Sequence, residues 1–288
     1  MTNSIKTLTT AFTELRKYND AIFVIKCNAL LLEDNDLLKA FAEDVVALKS
    51  AGINVIIVHD GTNIVNSMMD KFGLKGVSAN LCNTDQATVE MVEMILSGHV
   101  NKKIVAQINI AGGSAVGISG KDGHFMVAKR SKIARYDHSA SDKVLNFGFL
   151  GELALINPDI LLLLEDSDMI PVISPMTIGE DHRTYKIDAN DIAGAIAAVL
   201  SASKLIFMSD NSGITDAKGK TLREITLTQV NKMLNDDKKD TNINNKLRAA
   251  LMAFEQNTEM VHIIDGKIPH ALMLELFTDE IVGTRIKE

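Results

Sequence analysis

A chain of 288 residues with 46% apolar side chains can bury a substantial core in one or two domains. Its formal net charge of −7 leaves no basic excess to neutralise phosphates and argues against a nucleic-acid partner. The two cysteines, Cys27 and Cys82, make no disulfide framework, no apolar run approaches the ~20 residues of a bilayer span, and the N-terminus lacks the apolar core of a signal peptide. A cytoplasmic protein with no membrane partner is expected.

The first predicted element is a helix over Ser4–Tyr18, with Ile5, Leu8, Phe12 and Leu15 on one stripe that packs either on its own domain or on a neighbouring subunit. Ala21–Lys26 reads as a buried strand, and Asn35–Ala51 as a helix stopped by Gly52. Val55–His59 is the next strand, followed by a helical stretch through Met68 and Met69; Thr84–Leu96 and Val100–Ile108 continue the pattern. The spaced glycines between Gly112 and Gly123 change the rhythm, and His124–Ala128 and Phe149–Leu155 read as short strands in hairpins. Ile170–Ile173, Leu205–Met208 and Val261–Ile264 return to the buried-strand type. Helices are predicted at Asp191–Ser201, Leu227–Leu234, Lys246–Glu255 and Pro269–Leu276, and Asn235–Asn245 reads as a loosely held polar connection. Alternation of this kind predicts βαβ units and a mainly parallel sheet covered on both faces. The short basic clusters Lys129–Lys132 and Lys238-Lys239 read as solvated faces.

Five runs read together resemble the N-acetyl-L-glutamate kinase family of the arginine-sensitive, hexamer-forming kind. They are Phe41–Gly52, Thr88–Lys102, Ala115–Gly123, Asn157-Pro158 and Val261–Phe277 with Gly283-Thr284. The resemblance implies an α/β fold, a three-layer α/β/α sandwich around a mostly parallel eight-stranded sheet. It implies residues 1–20 as an oligomerisation helix and 21–288 as a single kinase domain, with an amino-acid lobe to about residue 180 and a nucleotide lobe beyond it. The implied reaction carries the γ-phosphoryl group of ATP, with Mg2+ arriving on the nucleotide, to the carboxylate of an acylated amino acid in arginine biosynthesis. The resemblance also implies a homo-oligomer, dimer or hexamer, and an L-arginine effector.

Phosphoryl transfer asks a protein for positioning, positive charge and bare backbone N–H groups. The resemblance makes Lys26 and Lys246 the catalytic lysines and puts Asn190 at the aspartate that organises them. Yet the glycine pair after the first lysine is missing from Cys27-Asn28-Ala29, and the family's Gly-Gly-Met-x-x-Lys run around the second is here Asn242-Ile243-Asn244-Asn245-Lys246, with the lysine present and the glycines absent. His59-Asp60-Gly61-Thr62-Asn63 stands for histidine and three glycines, so Asp60 brings negative charge where an anion is expected, and a left-handed backbone there would cost a non-glycine residue roughly 1–3 kcal/mol. For substrate binding the implied positions are Gly61, Cys82, which stands where an arginine clamps a carboxylate, and Lys186, which stands at an asparagine. Ser209, Asp210 and Gly213 match the nucleotide-side turn, and Lys204, Glu275 and Gly283 match the effector surroundings, where Glu275 either pairs with a guanidinium or is a surface carboxylate. No metal site is implied.

Removing one electrostatic contributor of this kind typically lowers the rate by about 10²–10³. With several altered together, weak or absent kinase activity is expected. The alternative is a non-catalytic oligomeric protein that keeps an arginine, nucleotide or other small-molecule pocket.

Overall fold

The computed structural model describes residues 15–73, 85–131, 149–216, 218–235, 241–278 and 280–288. Among these residues, eight strands form one sheet in the order β10-β12-β11-β9-β1-β2-β6-β3. In chain order they are β1 (Ile22–Cys27), β2 (Asn54–His59), β3 (Ala115–Ser119), β6 (Ile170–Ser174), β9 (Lys204–Ser209), β10 (Glu224–Thr226), β11 (Met260–Asp265) and β12 (Gly283–Lys287). Every pairing is parallel except β11 with β12. The expected mostly parallel eight-stranded α/β sheet is what the chain forms.

The centre of this sheet is apolar on both sides because both sides are covered. Successive β1 residues face opposite ways: Phe23, Ile25 and Cys27 join one core, while Val24 joins the other. Ile57 and Val58 of β2 divide in the same manner. Full burial of such side chains contributes about 1.5–3 kcal/mol each. On the first face packs helix α2 (Asn35–Ser50), through Leu38, Phe41, Val45 and Leu48 at helical spacing. Asp34 caps it, accepting from the Asp36 and Leu37 N–H groups. The second face carries α7 (Ala189–Val199) and α9 (Thr241–Phe254), which approach closely at Gly194: a Cβ there would stand 2.7 Å from the Ala249 carbonyl oxygen.

A smaller sheet, ordered β5-β4-β7-β8, holds the predicted hairpin: β4 (Met126–Arg130) runs antiparallel to β5 (Gly151–Ile156). Its other strands are β7 (Met176–Gly179) and β8 (Thr184–Lys186), a pair too short to leave a period in the sequence.

Several boundaries differ from expectation. A short helix, α1 (Ala29–Glu33), follows β1 directly, and α6 (Asp159–Asp166) precedes β6. Between them α3 (Thr62–Lys71) follows β2, and α4 (Gln86–Glu93) runs through a π-helical stretch, Met94–Val100, into α5 (Asn101–Ile110). The remaining helices are α8 (Leu227–Leu234) and α10 (Ala271–Phe277). Helix α9 begins at Thr241 rather than Lys246, so much of the expected loose connection is helical, Asn245 being anchored by a hydrogen bond to Asp188. Most of the predicted first helix, and Cys82 with Thr84, lie outside the described residues, as do Lys238 and Lys239. The last turn of that helix is described: Leu15 and Tyr18 pack on the first core, and the Tyr18 ring meets Phe23 edge-on at 5.3 Å.

Candidate functional site

In a parallel sheet the crevice outside the carboxyl ends of the strands is the natural ligand site. Here β1, β2 and β9 end together, and the turns leaving them line a cleft of about 370 Å³ with Lys186 of β8, the start of α7 and the first turns of α9. Register sets the near wall. Lys26 pairs across from Val58 and Cys27 from His59, so Asp60 emerges beside Lys26. Lys26 Nζ stands 4.0 Å from Asp60 Oδ2.

Asp60 is the most connected carboxylate of this wall. Its Oδ1 accepts from the Gly61 N–H at 2.7 Å, the Thr62 N–H at 3.2 Å and the Thr62 hydroxyl at 2.9 Å. The Lys186 ammonium donates to the same hydroxyl at 3.1 Å. Burial alone would raise this carboxyl, but Lys186 and Lys26, helped by Gly61 and Thr62, hold it well below the usual carboxylate range. The strained backbone expected here is absent: among the described residues, neither Asp60, Thr62 nor Asn63 has a positive φ, and Gly61 is extended at 171°. Thr62 simply opens α3. His59 is wholly buried, and burial takes its imidazole down to about 4. Its Nδ1 meets the Asp60 carbonyl at 2.9 Å and its Nε2 the Asn101 amide nitrogen at 3.2 Å, which is a structural clasp between β2 and α5.

The same pattern recurs at the other two strand-to-helix turns. Asn28 caps α1, its Oδ1 accepting from the Leu31 N–H at 3.2 Å, while its amide nitrogen donates to Asp210 Oδ1 at 2.5 Å. At the start of α7, Asp188 Oδ1 accepts from both the Asn190 N–H and the Asn190 side-chain amide at 2.8 Å. Asp188 Oδ2 accepts from the Asn245 amide at 2.8 Å. Both amide nitrogens face one carboxylate, so both amide oxygens turn away, and neither Asn190 Oδ1 nor Asn245 Oδ1 finds a hydrogen-bond donor among the described residues. Lys246, in the second turn of α9, is buried and donates to Ser209 Oγ at 3.2 Å and Asn242 Oδ1 at 3.1 Å.

Of the residues expected in the site, the cleft brings together Lys26, Lys186, Asn190, Ser209, Asp210 and Lys246. Gly61 and Gly213 are not among its lining residues. Gly61 abuts Leu96 and Val100, and Gly213, at φ +102°, packs on Thr284. Sequence reasoning missed Asn28, Thr62, Asp188, Asn242 and Asn245. For Asp188 a signal existed: carboxylate and amide simply exchange places in Asp188-Ala189-Asn190. Three lysines (Lys26, Lys186, Lys246) therefore face three aspartates (Asp60, Asp188, Asp210) in one cleft.

Of the effector candidates, Lys204 lies at the opposite, amino-terminal end of β9, whereas Gly283 pairs with Ile264 and stands level with Met208 near its carboxyl end. Lys204 Nζ sits 4.7 Å over the Tyr18 ring. Glu275 is buried and already holds a guanidinium, that of Arg285, whose Nε donates to Oε1 at 2.5 Å. His262 Nδ1 meets the same oxygen at 3.0 Å, and the Val282 N–H donates to Oε2 at 2.9 Å. Gly283 is needed for packing, because a Cβ there would collide with the Ile263 carbonyl oxygen. Among the described residues no group of three or more His, Cys, Asp or Glu is placed to hold a metal ion, and no helix is long and apolar enough to cross a membrane.

Comparison with known proteins agrees with this architecture. The acetylglutamate kinase of Parvibaculum lavamentivorans is 39% identical over 283 residues, covering 98% of this chain and 93% of its own length. That of Nitrosomonas eutropha is 40% identical over 284 residues, covering 98% and 96%. Among solved structures, N-acetylglutamate synthase from Neisseria gonorrhoeae, complexed with coenzyme A and N-acetyl-glutamate, superposes with a TM-score of 0.82 at 19% identity. This chain is covered to 99% and spans 63% of that longer one. Giardia carbamate kinase superposes with a TM-score of 0.68 at 15% identity, covering 93% and 99%. Both are likenesses of fold. The model of the amino acid kinase family matches residues 21–265, and the chain belongs to that family.

Proposed function

We propose that this chain is an acetylglutamate-kinase-type protein in which transfer of phosphate from MgATP to N-acetyl-L-glutamate is weak or lost. The names and near-full coverage of the curated relatives support the kinase ancestry and the arginine-biosynthesis setting. One observation carries the loss: at each strand-to-helix turn entering the cleft, a side-chain oxygen of the chain itself (Asn28, Asp60, Asp188) takes backbone N–H groups. A helix N-terminus carries roughly half a positive charge and favours anions there. Phosphoryl transfer depends on that favour, because its transition state is an anion stabilised by N–H groups and cations. Asp60 and Asp188 supply the anions in advance.

MgATP fits this cleft on one side only. Ser209, Asp210 and Lys246 offer polar groups to a nucleotide, whereas the N–H groups suited to its phosphates are taken. The residues present therefore do not fit the triphosphate.

A second reading, a non-catalytic protein binding a small molecule, is favoured by the persistence of a polar cleft of about 370 Å³. An acylated amino acid in this cleft and assembly into a dimer or hexamer through residues 1–20 belong to the same proposal. L-arginine at Glu275 is disfavoured by Arg285. ADP release with N-acetylglutamate and MgATP, assayed beside the Nitrosomonas eutropha relative, tests the main reading. Turnover at least about 10²-fold slower is expected; turnover within tenfold of the relative refutes it.

A further inference from the structure

We propose that Asp60 sets the ligand class of the cleft: its carboxylate fills the anion seat between α3 and Lys26, so that the cleft rejects phosphate-bearing molecules and admits neutral or zwitterionic ones. The inference rests on the same reading of the cleft as the proposed function, and it concerns binding rather than turnover.

The donors that could hold a phosphoryl oxygen on this wall are the Gly61 and Thr62 N–H groups, the Thr62 hydroxyl and the Lys26 ammonium. All four converge on Asp60: three on Oδ1 at 2.7–3.2 Å, and Lys26 4.0 Å from Oδ2. Lys186 reaches the same cluster through the Thr62 hydroxyl. An incoming phosphate would displace the carboxylate or sit against it.

The opposite wall offers no replacement. The amide groups of Asn190 and Asn245 that could donate to a phosphate are both turned onto Asp188. Lys246 is bonded to Ser209 and Asn242, and the Asn28 amide to Asp210. With three aspartates against three lysines, the cleft as a whole offers no excess of positive charge. A zwitterion fits this balance, because its ammonium and carboxylate can each find an opposite charge.

Isothermal titration of the full chain with inorganic phosphate at low ionic strength tests the idea on three variants. Asp60→Asn removes the charge at constant shape, Asp60→Gly also frees the N–H groups, and Asp60→Glu keeps the charge. Thermal melting confirms that each is folded. The expected result is phosphate affinity at least roughly tenfold tighter in Asp60→Asn and Asp60→Gly than in wild type, with Asp60→Glu showing no gain. Wild type binding phosphate as tightly as Asp60→Asn would overturn the inference, and so would the absence of a gain in both charge-removing variants. The two proposals separate cleanly. Brisk ADP release by wild type together with a tenfold gain in Asp60→Asn refutes lost transfer and keeps this inference. An inactive wild type with no gain overturns this inference alone.

Discussion

Replacing Asp188 by alanine removes the acceptor that ties β8, α7 and α9 together at the back of the cleft. Hydrogen bonds from the Asn190 N–H, the Asn190 amide and the Asn245 amide, each at 2.8 Å, end on this carboxylate. Loss of an N-cap alone lowers stability by about 0.5–2 kcal/mol. Asn190 and Asn245 are 6% and 2% exposed, so their amide nitrogens would be left buried without an acceptor. Each unsatisfied group of that kind costs about 1–3 kcal/mol, offset in part where water enters from the cleft. Because the three bonds share one acceptor, the costs do not add fully. A net loss of about 2–4 kcal/mol follows. Asp188→Asn keeps one acceptor oxygen and is expected to lose about half as much. Urea denaturation with linear extrapolation reads both values, with an unchanged slope if the transition stays two-state. A loss below about 0.5 kcal/mol for Asp188→Ala, the lower bound for a cap alone, would refute the role given to this carboxylate.

Other perturbations follow from the same geometry. Gly194→Val drives a side chain into the Ala249 backbone, 2.7 Å from the position of a Cβ, and is expected to lower stability by at least about 1–3 kcal/mol in thermal or chemical unfolding. Arg285→Ala leaves Glu275 buried without its guanidinium, held by His262 and the Val282 N–H; it is expected to destabilise by a few kcal/mol and to confer stabilisation by millimolar L-arginine that wild type lacks, read by melting temperature. His59 and His262 are each taken by burial from the ordinary 6.5 to about 4. In the folded chain they resist protonation that the unfolded chain accepts, so stability is full above pH 6.5 and falls as pH drops towards 4, by roughly 3 kcal/mol per histidine. Unfolding measured across this window, with His59→Gln or His262→Gln as the control that flattens it, checks the sign.

Much of the fold was legible because the central strands are runs of β-branched and aromatic residues bounded by turns. Val55–His59 and Leu205–Met208 fell inside β2 and β9, and Leu227–Leu234 matched its helix. The elements missed were those without a period. Ala29–Glu33 makes little more than one turn, and Asp159–Asp166 contains four consecutive leucines that suit neither a helical nor an alternating pattern. In the site, Lys26, Lys186, Asn190 and Lys246 were legible as positions in motifs, and Asp60 as an unwanted charge. Its partners were not legible, nor was the relaxed backbone around it. The pairings that cap the cleft join distant segments, such as Asn28 with Asp210, separated by 182 residues. Asp188 was passed over because the motif's aspartate position falls on Asn190, although the exchange of carboxylate and amide in Asp188-Ala189-Asn190 was there to be read; the next acidic residue, Asp191, leaves the helix on a different side.

The most direct measurement is a crystal structure of the chain grown with millimolar MgATP. The account predicts Asp60 still bonded to the Gly61 and Thr62 N–H groups, with no phosphoryl oxygen on them. A γ-phosphate seated on those groups and on Lys26, with the Asp60 side chain swung away, would contradict it.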